Sequence, residues 1–326
     1  MGFKSLLFPA SLVYRAGQYI HKKSISPDSV GKPVISVGNI SSGGTGKTPV
    51  AMHILKRFKE KKPAVVSRGY GRKSSGLRVV STPDYIKYGD EPAMMKRRFP
   101  DALVIVSEDR LEGAAEAAGK GAGVIILDDG FQSYEIKRDL DLVVINCMKP
   151  FGGALIPAGR RREPMASLSR AEGFLLNRSD AVEKENLNRI KGIIRKYSDA
   201  RIFHAREKIA GFCDIKLEKE ISADIIKEKG VCAISAIGNP EGFYRLLRNE
   251  GASVSMTVEK KDHYLWKDED MIRVSAASAK KDLCIVTTEK DALKIPSEFL
   301  TEAVVMKIEV EVEEKSEFNE FLGKVF

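Results

Sequence analysis

Three features of the sequence predict an α/β fold: a doubly wound, mostly parallel P-loop sheet with a second, smaller α/β domain joined to it by a hinge. Short β-branched runs (PVISVGN, PAVVS, ALVIV, AGVIIL, DLVVINC) recur with helix-like stretches between them. Continuous apolar strands of this kind belong to sheets covered on both faces. The first run leads into a glycine-rich turn, SSGGTGKT, that opens a helical stretch. After a composition shift near residue 207 the alternation resumes with VCAISAI. A chain of 326 residues that is 43% hydrophobic and 30% charged can bury a core of this size, which excludes wholesale disorder. No apolar run reaches the roughly 18 residues of a membrane-spanning helix.

The elements follow in order. Residues 3–23 place Leu6, Leu7, Phe8, Leu12, Val13, Tyr19 and Ile20 at near-helical spacing, with Lys4, Arg15, His21, Lys22 and Lys23 as the polar side. Pro9 and Arg15 interrupt the apolar run, and no small-residue cleavage pattern follows, so a secretory signal is a poor fit. Two readings stay open for residues 1–24: a helix packed on the domain, or an amphipathic helix lying in a membrane interface. Residues 25–207 form the expected core domain and 208–326 the smaller one. The connector 203–217 and the strand-like AVVMKIEVEV near the end can pair as a double-stranded hinge.

Chemistry concentrates on the loops after the strands. In Gly43-Gly44-Thr45-Gly46-Lys47-Thr48, glycines let backbone N–H groups approach phosphate oxygens and the helix N-terminus adds positive charge. Lys47 then reaches the β- and γ-phosphates and Thr48 holds Mg²⁺. Ser41 stands where the usual P-loop begins with glycine. A P-loop needs a carboxylate at the end of another buried strand, and Asp128-Asp129 end the run VIIL. As an isolated motif, Asp-Asp-Gly also reads as a plain turn.

A second acidic pair, Asp90-Glu91 in YGDEP, suits proton acceptance and metal binding, or equally a solvated loop. Arg68 and Arg72 in SRGYGR and Arg160-Arg161-Arg162 before Glu163 suit phosphates, or equally a solvated surface. His263, in DHY, is the only histidine beside both an acid and an aromatic residue.

The balance of 54 basic against 45 acidic residues leaves +9, with an isoelectric point of about 9.2. This favours a polyanionic partner: nucleotide phosphates, an anionic membrane or nucleic acid. A P-loop NTPase acting on nucleic acid is the rival reading. Aromatic residues at 7%, with no basic stripe interleaved among them, weigh against nucleic acid. Cys147, Cys213, Cys232 and Cys284 are scattered without a CxxC pair, which argues against a zinc site or a disulfide framework.

Taken in order, SVGNISSGGTGKTP, VVSRGYGR, YGDEP, LDDGFQ, IPAGRRREP, DHY and TTEKDALK resemble the tetraacyldisaccharide 4′-kinases, the lipid A 4′-kinases of Gram-negative envelopes. The likeness runs to about residue 295, and the order of the motifs makes it specific. Many members also lack the first P-loop glycine. One motif departs: where the family more often reads LPAGPLREP, Arg160 and Arg161 stand at the Pro-Leu positions.

The resemblance implies a kinase-like P-loop fold and ATP-dependent phosphorylation of the 4′-hydroxyl of an acylated glucosamine disaccharide 1-phosphate. It implies a peripheral location on the cytoplasmic side of the inner membrane, touched by the N-terminal helix. By position it implies Asp90 as general base, tuned by His263, and Gly43–Thr48 around ATP. Metal-associated groups would be Thr48, Glu91, Asp128 and Asp129. Gln132, Arg162 and Glu163 would lie around phosphate or disaccharide, and Arg68 and Arg72, as loop arginines suited to phosphate, are expected with them as substrate-binding residues. Glu289 and Lys290 of TTEKDALK are expected at the cleft.

Overall fold

A computed structural model describes residues 8–299 and 303–326. The first residues of the expected N-terminal helix, 3–7, lie outside the described residues; the helix itself runs Phe8–Ser24. The strands are β1 Val34–Gly38, β2 Pro63–Ser67, β3 Arg78–Val79, β4 Leu103–Val106, β5 Val124–Asp128, β6 Leu140–Asn146 and β7 Gly173–Asn177. They continue as β8 Arg201–Asp214, β9 Glu220–Ile221, β10 Gly230–Ser235, β11 Val254–Glu259, β12 Leu283–Thr288 and β13 Ala303–Val312.

All belong to one sheet in the order β11-β10-β12-β13-β8-β7-β6-β1-β5-β2-β4-β3, with β9 on β8. Parallel pairing prevails; β3–β4, β8–β9 and β8–β13 are antiparallel. Strands of the centre are buried on both faces, and their side chains divide by twos between two cores. Ile35, Val37, Val124, Ile126, Leu142 and Val144 enter one core with Val50 and Ile54 of the P-loop helix. Val34, Ile125 and Leu127 enter the opposite one. Such partition explains why these strands read as unbroken apolar runs.

The last strand and the connector do pair. β13 runs antiparallel to β8, from Val304 opposite Asp214 to Val312 opposite Ala205. One correction concerns the C-terminus. The helix Lys315–Gly323, grouped by sequence with residues 208–326, packs Phe318, Phe321 and Leu322 into the first core beside Phe203 and Val310. The physical reason is the direction of β13: running back along the hinge, it returns the chain to the first half of the sheet.

Candidate active site

The centre of the sheet places β1 between β5 and β6. In parallel sheets the crevice beyond the carboxyl ends of the strands takes the ligand. There the loop 39–46 leaves β1 and enters the helix Lys47–Arg57. Gly43 and Gly46 have φ of +109° and +88°, which favours glycine, whereas Ser41 does not adopt positive φ. The missing first glycine therefore carries no strain, and Asn39 Oδ1 anchors that corner by accepting from Ser41 N at 2.8 Å and Oγ at 3.1 Å.

A buried cluster supports the loop from below. Asn177 Nδ2 donates to the Thr45 carbonyl (3.2 Å) and to Glu207 (3.0 Å). Arg178 donates to Glu207 (2.9 Å) and to the Gly44 carbonyl (3.3 Å). A side chain at Gly46 would collide with the Asn177 amide. With these carbonyls held beneath, the N–H groups of Gly43, Gly44, Thr45 and Gly46 have no backbone acceptor among the described residues. Outward N–H groups at a helix N-terminus form an anion cradle.

Asp128 lies beside the P-loop because Val37 of β1 pairs with it in the ladder. Thr48 Oγ1 donates to its Oδ2 at 3.2 Å, and the buried Arg110 donates to its carbonyl at 2.7 Å. Burial and the neighbouring Asp129 push the Asp128 carboxyl up to about 6. Its Oδ1 is buried without a hydrogen-bond partner. Burial acts likewise on Asp129, but Lys47 and Arg162 hold it down at about 2. Lys47 Nζ lies 3.4 Å from its Oδ1 and Arg162 donates to Oδ2 at 2.7 Å. Asp129 is thus occupied by cations, and Asp128 is the member of the pair open to a metal. Thr48, Asp128 and Glu91 offer hard oxygen donors, as Mg²⁺ requires.

Asp90 and Glu91 occupy the first turn of the helix Asp90–Arg98. Three basic side chains of the second half converge on them. His263 Nδ1 donates to Asp90 Oδ2 at 2.9 Å, and the fully buried Lys294 donates to the same oxygen at 2.9 Å. Lys290 Nζ lies 3.1 Å from Glu91 and 3.0 Å from Asp262. Burial acts to raise the Asp90 pKa, but His263, Lys294 and Lys290 together hold it below the ordinary aspartate value. The hydrogen bond to Asp90 raises the His263 pKa in turn, against the effect of burial. His263 and Asp129 both adopt positive φ, +67° and +60°, conformations in which His and Asp are enriched and which tend to occur at functional positions.

A chain of contacts across the two halves links the two acid pairs. Gly44 faces Gly238: a methyl group on Gly238 would sit 3.4 Å from the Gly44 nitrogen and 3.1 Å from Asp262 Oδ2. Asp262 contacts Lys290, Lys290 contacts Glu91, and the charge of Glu91 is felt at Asp128.

Several expectations are redirected by the structure. Arg72 donates to Glu108 at 2.5 Å and to the Gly76 carbonyl at 2.8 Å, so it braces its own loop. Glu163 is buried, accepting from Arg170 (2.7 Å) and Gln132 (2.6 Å). It positions Gln132 from behind, because a carboxylate that buried is satisfied by its arginine. Arg162 faces Asp129, and Arg68 is exposed, near enough for its charge to act on Arg110. Glu289 is buried against Arg98 at 2.9 Å, away from the cleft that Lys290 lines.

Lys294, Asp262, Arg110 and the Asn177–Glu207–Arg178 cluster were not singled out by sequence. Asp262 and Lys294 had a signal there, as the acid of DHY and as a lysine four residues after Lys290 at the end of TTEKDALK.

Comparison with known proteins agrees with this geometry. The family described as Tetraacyldisaccharide-1-P 4'-kinase matches residues 3–326. A tetraacyldisaccharide 4'-kinase of Halothermothrix orenii is 37% identical over 291 residues, 83% of this chain and 76% of that protein. One of Syntrophotalea carbinolica is 39% identical over 273 residues, 81% and 74% of the two chains. The crystal structure of LpxK from Aquifex aeolicus in complex with ATP superposes with a TM-score of 0.81 over 100% of both chains, at 28% identity. The chain belongs to the tetraacyldisaccharide 4′-kinase family.

Proposed function

We propose that the chain transfers the γ-phosphoryl group of ATP to the 4′-hydroxyl of an acylated glucosamine disaccharide 1-phosphate, with Asp90 as general base. One observation carries this reading: a chain of close contacts, Gly44 to Gly238, Asp262 to Lys290 and Lys290 to Asp90, joins the phosphate cradle at Gly43–Thr48 to the Asp90–His263 pair. The cradle and Lys47 hold the triphosphate; Arg162 keeps Asp129, and through it Lys47, in place. Thr48, Asp128 and Glu91 would hold Mg²⁺, which would supply positive charge to the phosphates.

Asp90 is ionised and accepts the hydroxyl proton at Oδ1 or Oδ2 as the sugar oxygen attacks. A weakly basic carboxylate suffices, since in a loose transition state the proton leaves late. His263 and Lys294 orient it.

The acceptor's acyl chains keep it in the bilayer, each buried CH₂ being worth about 0.8 kcal/mol, so the enzyme must work at the membrane surface. Features of the helix Phe8–Ser24 support that reading. Val13 and Ile20 are 75% and 67% exposed, and Ser11 Oγ donates to the Leu155 carbonyl, tying the helix to the loop before Arg160. No helix among the described residues is long and apolar enough to cross a membrane. We place the protein peripherally, on the cytoplasmic side of the inner membrane.

The test is labelled ATP with the disaccharide 1-phosphate in detergent micelles. The intact chain should label the lipid, and Asp90→Asn should lower turnover by about 10²-fold or more. ATP hydrolysis indifferent to the lipid, or full turnover by Asp90→Asn, would reject the reading.

A further inference from the structure

We propose that Arg160 is a catalytic arginine supplied in cis: its guanidinium binds the γ-phosphoryl group of the nucleotide on the P-loop and takes up negative charge as that group is transferred. This rests on the reading of the cleft as an ATP site and adds a residue that the reading does not use.

Arg160 and Arg161 are the two departures from the family motif, and they behave differently. Arg161 is half-buried and bridges Ser41 and Leu155 through its backbone. Arg160 projects over the phosphate cradle, where its guanidinium is the first group that a side chain at Gly43 would strike. Its own backbone is stapled to the same loop. The Arg160 carbonyl accepts from Ser42 N at 2.7 Å and Ser42 Oγ at 3.0 Å, and Arg160 N donates to the Gly152 carbonyl at 2.9 Å. The guanidinium is therefore carried by a segment that moves with the cradle.

The other arginines around the site already have anions: Arg162 has Asp129, Arg170 has Glu163 and Arg178 has Glu207. The Arg160 guanidinium has no hydrogen-bond or ion-pair partner among the described residues. It borders a cavity of about 230 Å³ together with Gly43, Gly44, Asn146, Lys149 and Asn239, and no carboxylate lines that cavity. An arginine whose backbone is held and whose exposed side chain is unpaired and borders a cavity without acids is open to an incoming anion.

The position selects which anion. Gly44 touches Gly238, and from there Asp262 and Lys290 lead to Asp90. The edge of the cradle under Arg160 shares its cavity with Gly238 and Asn239 and so lies toward the half that carries the partners of Asp90, and the terminal phosphate is assigned to that edge. In the transfer, the bond from the acceptor oxygen to Pγ forms as the bond from Pγ to the β–γ bridging oxygen breaks. The hydroxyl proton passes to Asp90 and ADP leaves with the bridging oxygen. Charge on the equatorial and bridging oxygens is what a guanidinium fork stabilises.

The test uses the full chain with Arg160→Ala, Arg160→Lys and, as a second neutral variant, Arg160→Gln. Single-turnover transfer to the disaccharide is measured beside equilibrium binding of ADP and of ADP with aluminium fluoride. The neutral variants should lose about 10²-fold or more in turnover, and a comparable factor in aluminium fluoride capture. Their ADP affinity should stay within about twofold of wild type, and Arg160→Lys should recover part of the turnover. Turnover within about threefold of wild type in the neutral variants overturns the proposal, as does an equal loss of ADP and ADP–aluminium fluoride binding. If the wild type itself passes no phosphate to the disaccharide, the acceptor assignment fails, while the comparison of the two nucleotide states still decides the role of Arg160.

Discussion

Asp90 stays ionised because side chains from the other half of the molecule hold it so. Of these, Lys294 is the most telling: a fully buried ammonium 2.9 Å from Asp90 Oδ2, with Asp291 at 4.0 Å as its other anion. A lysine is buried this deeply only where anions replace its hydration. Asp291 is itself fixed by the Ala236 amide at 3.0 Å and by Thr288 at 2.8 Å, so Lys294 has little freedom to turn away. Removing its charge takes away one of the influences that lower the Asp90 pKa. With Asp90 as the proposed base, its active form is the ionised one, present above its pKa, so raising that pKa moves the acid limb of the rate profile upward. Lys294→Met should therefore displace the acid limb of kcat/KM toward neutral pH, with about a tenfold loss below the limb for each unit of displacement. Activity should recover on raising the pH. A uniform loss at all pH values would assign Lys294 to packing alone.

Among the described residues, the helix Phe8–Ser24 carries the two most exposed large aliphatic side chains, Val13 and Ile20. Val13→Glu with Ile20→Glu should leave the thermal melt unchanged, because both side chains are exposed. The pair should nevertheless weaken sedimentation with anionic vesicles, since each charge placed in the interface opposes insertion of the apolar face. Unchanged sedimentation would reject the anchoring role. The strands of the sheet were legible because burial on both faces leaves an apolar run, and the P-loop because its glycines have a backbone reason. Pairings between distant elements were not. Nothing local in Arg72 distinguishes a phosphate ligand from a brace to Glu108. Nothing in Glu163 announces that Arg170 will satisfy it. The helix Lys315–Gly323 showed its apolar side in the sequence but not which of two cores would receive it. Periodicity reports that a face is buried; only topology decides against what.

At the scale of the molecule, one sheet runs through both halves, and the antiparallel pair β8–β13 is the place where they can flex. The P-loop, Asp128 and Asp90 belong to the first half; His263, Lys290, Lys294 and Gly238 belong to the second. Every contact that orients Asp90 is thus also a contact between the halves, so on the proposed role of Asp90 as base, closure and readiness for proton transfer would be the same event. A lid that assembles the base only when closed also limits transfer of phosphate to water. Nucleotide at the cradle meets the second half through Gly238 and Asn239, whose backbone faces Gly44. A non-hydrolysable ATP analogue should therefore slow amide hydrogen exchange in two separated stretches, residues 41–48 and residues 236–263, in the wild-type chain. In Lys290→Met the first stretch should stay protected and the second should lose most of its gain. That lysine joins Asp262 of the second half to Glu91 of the first at 3.0 and 3.1 Å. Protection confined to 41–48 in the wild type would mean that nucleotide does not draw the halves together, and closure would then have to come from the acceptor.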